Sequence, residues 1–236
     1  LFPYTTLFRS VAIVRDVAKG QELLPTGIEI RQGDYADQAG MTSALVGIDR
    51  LLFISSQPGG AVSRETQHLN VVAAAKEAGV SLVAYTSYPK AGQAKAPLAH
   101  DHQVTEAAIK EAGLAHAFLR DNWYLENDAS FLTAGKEGQA AIYWTTGKAA
   151  WAPEALYATA AAKVLVSDQP KEVYEFGGQP ISYEELGDAL KEALGKEVEV
   201  AKLSREAYEA ALVKSGMDEA MATMIASFEE PHEAGD

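Results

Sequence analysis

Short apolar runs of β-forming residues alternate with segments of helical spacing through the first half of the chain, and that rhythm limits the fold more than any other feature. VAIVR (11–15), LLFIS (51–55), LVAYTS (82–87) and HAFLR (116–120) read as strands, and IEIRQ (28–32) alternates like one. LLFIS and LVAYTS are apolar on both faces, as strands covered by helices on two sides require. Helical spacing is predicted at 16–24, 37–46, 64–79 and 99–113, the last two stopped by glycine. Strand-then-helix units in series predict a parallel sheet with helices on both faces, doubly wound through right-handed crossovers.

Beyond residue 120 the rhythm loosens. The sequence predicts a loop and helix over 122–138, a short strand at 140–144 and an Ala-rich helix at 153–167 that starts on a proline. A strand at 173–178 comes next, then a helix at 182–195 opened by a capping box, Ser182 with Glu185. A strand at 197–203 and helices at 204–215 and 218–228 complete the pattern. The expected division is a nucleotide-binding domain over 11–150 and a smaller α+β cap over 151–236.

Composition removes several function classes. The 236 residues include no cysteine, which excludes disulfides, thiolate zinc sites and cysteine nucleophiles and suits a reducing cytoplasm. The net charge of −13 argues against nucleic acid as a partner. From 171 to 236 there are 16 acidic and 6 basic residues, read as solvated helix faces, so the near-neutral first 170 residues are the better host for an anionic cofactor. No apolar run approaches a membrane span, no G-x-S-x-G elbow occurs, and His100 with His102 is a weak metal pair.

The first ten residues, LFPYTTLFRS, carry no helical or strand period that runs on into the strand at Val11. They resemble the in-frame translation of a sequencing-adapter oligonucleotide, and 1–10 is read as a scar. No G-x-G-x-x-G succeeds a strand at the start of the chain, and the pairs Gly59-Gly60 and Gly177-Gly178 read as turns. The expectation is that a first strand and its Gly-rich phosphate loop lie upstream of Val11.

In open parallel sheets, ligands bind beyond the carboxyl ends of the strands. Those ends are polar here: Arg15, Asp34-Tyr35, Ser55-Ser56-Gln57, Thr86-Ser87 and Asp121-Asn122-Trp123-Tyr124. At the strand end where an acid would hold a ribose 2′-hydroxyl, Arg15 suits a 2′-phosphate instead, and Lys19 adds charge one helical turn on. This favours NADPH over NADH.

Segments including QHLNVVAAAKEAGV, PLAHDHQVTEAAIKEAGLAHAFLRDNWYLEN and VYEFGG occur in an order and spacing that resemble the NmrA-like branch of the atypical short-chain dehydrogenases. Within it the chain is most similar to the NAD(P)H:quinone oxidoreductase type 2 group, with triphenylmethane reductase as a relative. The resemblance spans about 11–228, and the tail FEEPHEAGD does not align, so a chain truncated at both ends is expected. It implies a Rossmann-like sheet lacking its first strand, NADP(H) as cofactor, and a small quinone-like aromatic substrate in a cytoplasmic protein compatible with a homodimer.

The resemblance also assigns residues. Arg15, assisted by Lys19, would meet the 2′-phosphate; Asp34 and Tyr35 would flank the adenine; Ser55, Ser56 and Gln57 would line the ribose beside the nicotinamide. Thr86 and Ser87 fall in the superfamily's catalytic serine region. Asn122, Trp123, Tyr124 and Asn127 would wall the nicotinamide and substrate pocket, with Phe131 as further stacking surface. The superfamily's Tyr and Lys positions hold Leu98 and His102. His102, expected with Tyr124 as catalytic, would bond the ribose or shuttle a proton, unless it is a solvent-facing helix residue. His68 reads as a packing or capping residue. Loss of the phenol at Leu98 suits quinones, whose reduction yields a stable aromatic phenolate that water can protonate. The other reading is a non-catalytic NADP(H)-binding redox sensor of the NmrA type.

Overall fold

The computed structural model describes residues 9–57 and 60–234. The foreign-looking stretch at 1–8 and Gly59 of the first glycine pair lie outside the described residues.

The expected alternation is present. β1 (Val11–Val14), α1 (Val17–Leu23), β2 (Glu29–Gln32), α2 (Gln38–Ala44), β3 (Arg50–Phe53), α3 (Arg64–Glu77), β4 (Leu82–Ser87), α4 (Pro97–Glu111) and β5 (His116–Asp121) occur in order. A 3-10 turn (Leu125–Asp128), α5 (Ala129–Glu137), β6 (Ala141–Tyr143), α6 (Glu154–Leu165), β7 (Val173–Phe176), α7 (Tyr183–Leu194), β8 (Val200–Lys202), α8 (Arg205–Lys214) and α9 (Glu219–Ser227) come next. The unaligned tail adds a short α10 (Glu230–Ala234), for which the sequence predicts no element.

Helix starts obey local chemistry. Asp16, Asp37 and Ser63 cap α1, α2 and α3 by accepting from backbone N–H groups three residues on. Ser182 and Glu185 close the capping box of α7.

Among the described residues, three strand pairs are parallel. β1 pairs with β2, Val11 opposite Glu29; β3 pairs with β4, Arg50 opposite Leu82; β6 pairs with β8. The larger group has the order β3-β4-β5-β7. Among the described residues β1 and β2 form a separate ribbon, so the expected single sheet is divided into two parallel groups.

The chain divides into two compact units. The first holds Leu1–Thr86, Asp101–Phe118 and Val164–Glu172. Its core is Phe53, Val71, Val83, Tyr85, Ile109 and Phe118. Arg50 fastens the 164–172 segment by donating to the carbonyls of Leu165 and Ser167 at 2.8 and 2.7 Å. The second unit holds Ser87–His100, Leu119–Lys163 and Val173–Asp236. Phe131, Tyr143, Trp151, Tyr183 and Leu186 make one core cluster there, and Tyr208, Leu212, Ala222 and Ala226 another. Each large side chain fully withdrawn from water contributes about 1.5–3 kcal/mol. Among the described residues no helix is long and apolar enough to cross a membrane.

One close approach makes a sharp test of this packing. Gly187 is buried on α7, and a Cβ there would sit 2.3 Å from Val200 Cγ2 on β8. Gly187→Ala is therefore expected to destabilise the protein by about 1–3 kcal/mol. Urea unfolding measures this, and adding Val200→Ala should recover part of the loss.

Candidate functional site

In the first unit the backbone that leaves β3 is held by four side chains from three places. Tyr35 Oη donates to the Ile54 carbonyl at 3.1 Å. The Ser55 N–H donates to Thr86 Oγ1 at 2.9 Å. The Ser56 N–H donates to His68 Nε2 at 3.0 Å, and Arg64 Nε donates to the Ser56 carbonyl. The polar loop after this apolar strand is thus pinned from behind, with Ser55 and Ser56 half-buried and Gln57 exposed.

The bonds fix the tautomers of two buried imidazoles. His68 Nε2 accepts from Ser56, so Nδ1 carries the hydrogen and donates to Thr105 Oγ1 at 2.8 Å, while the Thr105 hydroxyl donates to the Asp101 carbonyl at 2.6 Å. A guanidinium only donates, so His102 Nε2 accepts from Arg64 at 3.0 Å and its Nδ1–H faces Tyr85 Oη at 2.9 Å. Arg64 also reaches the Asp101 carboxylate at 3.3 Å, which keeps this buried cation paired. Burial, reinforced by the Arg64 charge, holds His68 down at about 4 and His102 at about 3. Burial likewise raises Tyr35 to about 12.

The other expected cofactor residues of this unit lie at strand ends. Arg15 comes directly after β1 with its side chain exposed, and its carbonyl accepts from Gln32 Nε2 at 3.4 Å. Lys19 is exposed on α1. Asp34 is exposed and accepts from the Ala36 N–H at 2.8 Å. Arg15 and Lys19 are cations of the kind a phosphate group pairs with, and Ser55 and Ser56 carry hydroxyls of the kind a ribose bonds.

The second unit holds Ser87, which is buried, and the residues after β5. Asn122 Oδ1 accepts from the Trp123 N–H at 2.8 Å and the Ala150 N–H at 3.0 Å, so this amide oxygen organises two backbone segments. Gly178 lies against the same segment: a Cβ there would stand 2.3 Å from the Trp151 carbonyl, and its N–H donates to Ala150 O at 3.0 Å. The second glycine pair thus serves a close backbone approach. Trp123 is half-buried against Phe228 and His232, with ring centroids at 6.0 and 5.1 Å. Tyr124 Oη donates to Asp121 Oδ2 at 3.2 Å. Asn127 is exposed. Phe131, expected as stacking surface, is instead a core residue against Tyr183.

Asp128 gathers three aromatic donors, Trp123 Nε1 at 2.8 Å, Trp151 Nε1 at 2.7 Å and Tyr183 Oη at 2.7 Å. Burial raises its pKa, while these three bonds oppose the rise.

His102 sits in the interior, 4% exposed, with both nitrogens engaged, so the solvent-facing alternative falls and its influence runs through Arg64 and Tyr85. Sequence reasoning missed Arg64, Thr105 and Asp128, and named Asp121 only as one of the polar strand ends. Arg64 sits just past the cap of α3 like any surface residue, and only His68 on the same helix hinted at a polar interior there.

The family model described as "NAD(P)H-binding" matches residues 6–163. Quinone oxidoreductase 2 of Escherichia coli (strain K12) is 40% identical over 219 residues, 92% of this chain and 76% of that protein. The crystal structure of the Escherichia coli NADPH-dependent quinone oxidoreductase QOR2 complexed with NADPH matches with a TM-score of 0.87 at 38% identity, covering 98% of this chain and 83% of the other. The Citrobacter sp. triphenylmethane reductase complexed with NADP(H) matches with a TM-score of 0.88 at 32% identity, covering 98% and 84%.

The two clamped imidazoles give a direct expectation. Unfolded, each titrates near 6.5; folded, each stays neutral to far lower pH. Between those values the unfolded chain binds more protons, so their contribution to stability is full above about pH 6.5 and is lost on acidification toward pH 4 and 3. Imidazole NMR signals of His68 and His102 should not titrate between pH 8 and about 5.5.

Proposed function

The chain belongs to the NAD(P)H-binding family, and from that premise we propose that it is an NADPH-preferring oxidoreductase that transfers a hydride to a quinone-like aromatic acceptor. The cofactor, when bound, supplies the hydride from its nicotinamide ring. The residues of this chain bind, orient and exclude water.

The observation that carries the reading is Arg15: a guanidinium exposed at the carboxyl end of β1, with Lys19 exposed on α1 just beyond it. A planar, permanently charged fork matches a 2′-phosphate in two parallel hydrogen bonds. Asp34 and Tyr35 are assigned to the adenine side, and Tyr35 is steadied by its bond to the Ile54 carbonyl. Ser55, Ser56 and Gln57, with Thr86 and Ser87, are assigned to the ribose and nicotinamide side. His102 belongs to the site through Arg64, which grips the Ser56 carbonyl. On the acceptor side, Asn122, Trp123, Tyr124 and Asn127 are assigned to the substrate. Leu98 offers no phenol where the wider superfamily has one, which suits an acceptor that becomes an aromatic phenolate. The assignment keeps residues 11–150 as the nucleotide-binding part and 151–236 as the cap, in a cytoplasmic protein that needs no nucleic acid and is compatible with a homodimer.

Loss of NADPH absorbance with benzoquinone as acceptor tests the activity; cofactor binding without turnover would favour a redox sensor. Arg15→Ala should weaken NADPH about 10- to 100-fold, the scale of a charged hydrogen-bond pair, and leave NADH nearly unchanged. Calorimetry with both cofactors measures it, and an equal loss for both removes Arg15 from this role. His102→Ala should raise the NADPH Kd by loosening Arg64; an unchanged Kd withdraws His102 from the site.

A further inference from the structure

Two buried oxygens near the end of β5 lack hydrogen-bond partners: Asp121 Oδ1 and Tyr157 Oη on α6. Asp121 Oδ2 has one partner, the hydroxyl of Tyr124, at 3.2 Å. The Tyr124 and Tyr157 rings lie 4.9 Å apart, so the carboxyl is walled by phenols. Arg120, the preceding residue, is paired with Glu175 at 3.0 Å. Among the described residues no cation is paired with Asp121. Its titratable neighbours are Tyr124 and Tyr157, with Glu154 acting on Tyr124, and none is basic. A carboxylate so placed gains one hydrogen bond and no counter-charge. Burial therefore lifts Asp121 to about 7, against the single opposing bond from Tyr124.

Asp128, seven residues on, is the contrast. It is half-buried too, but satisfied by three donors.

The protonation state of Asp121 sets the direction of the Tyr124 hydrogen. Beside the ionised carboxylate the phenol must donate inward. Beside the protonated acid the bond reverses: the carboxyl donates to Tyr124 Oη, and the phenolic hydrogen is released to point elsewhere. Tyr124 is also a poor acid next to an anion, since giving up its proton would leave two adjacent negative charges in a buried place. A protonated Asp121 removes that obstacle.

We propose that Tyr124 and Asp121 form a proton-delivery pair for the reduced acceptor, with Tyr124 the catalytic residue and Asp121 the positioning residue that recharges it. The proposal rests on the reductase reading. Hydride addition brings two electrons and one hydrogen to the acceptor and leaves an oxyanion. The Tyr124 O–H bond breaks as the acceptor O–H bond forms, and the Asp121 O–H bond breaks as the Tyr124 O–H bond reforms. Asp121 then takes a proton from water, so one proton is consumed per hydride. A proton supplied inside the site lets an acceptor less electron-poor than benzoquinone be reduced without waiting for solvent. The substrate class thus extends to aromatic acceptors whose reduced oxygen is basic.

Asp121→Asn and Tyr124→Phe in the full chain test this in two ways. Infrared spectra of the protein alone should show a protonated carboxyl band that disappears as pH rises through about 7 and that Asp121→Asn removes. With an electron-rich quinone, whose reduced oxygen is basic, wild-type kcat should fall as pH rises through the neutral range, whereas Asp121→Asn should be flat. Tyr124→Phe should lose on the order of 10²-fold in kcat, with the NADPH Kd unchanged in both variants. A missing neutral-range carboxyl band overturns the pair, as does a wild-type profile that Asp121→Asn reproduces. A wild-type protein that reduces no quinone instead defeats the reductase reading, while the infrared band still decides whether Asp121 carries a proton at neutral pH.

Discussion

The grip of Arg64 and His68 on Ser56 is the interaction on which the first unit's polar edge depends. One side chain takes the carbonyl and the other receives the N–H of the same residue. A backbone turn after a buried strand has polar groups that must find partners, and here they find them behind the loop, leaving its outer face for a ligand. The arrangement places a buried cation in the core, and it is stable because Asp101 and the His102 ring lie within reach of the guanidinium. Neutral imidazoles are required: a proton on His68 Nε2 would oppose the Ser56 N–H and add a positive charge beside Arg64. Burial and that same charge keep the proton off.

The second unit solves a related problem with carboxylates. Asp128 and Asp121 flank one short segment, yet their surroundings separate them. Three indole and phenol donors converge on Asp128, so it ties Trp123, Trp151 and Tyr183 into one rigid cluster. Asp121 has one donor and an unmet oxygen. Two acids close in sequence thus differ by the number of donors each receives: one organises the aromatic cluster, the other is left with an unmet oxygen.

These features join to one chemical scheme. In the proposed reading, Arg15 and Lys19 are assigned to the phosphate end of the cofactor, the held loop after β3 to its sugar, and the aromatic segment after β5 to the acceptor. The chain is similar to proteins named quinone oxidoreductase 2 and triphenylmethane reductase. Little covalent work is left to the protein, so placement and proton supply are where its residues matter.

Local sequence determined the order of elements. Apolar runs such as LVAYTS became β4 with the expected ends, and Ser182 with Glu185 closed the capping box, because strand burial and helix capping depend on residues next to one another in the chain. The polar strand ends were legible for the same reason, Arg15 among them. What only the tertiary structure decided were the partners of buried polar groups. His102 reads as a helix residue of open fate, yet it is sealed between Arg64 and Tyr85; Arg64 reads as a surface residue, yet it is a core cation. Asp121 and Asp128 look alike in sequence. Their difference lies in donors supplied from residues as far off as Tyr183, and sequence spacing carries no record of which distant side chains a fold will bring within 3 Å.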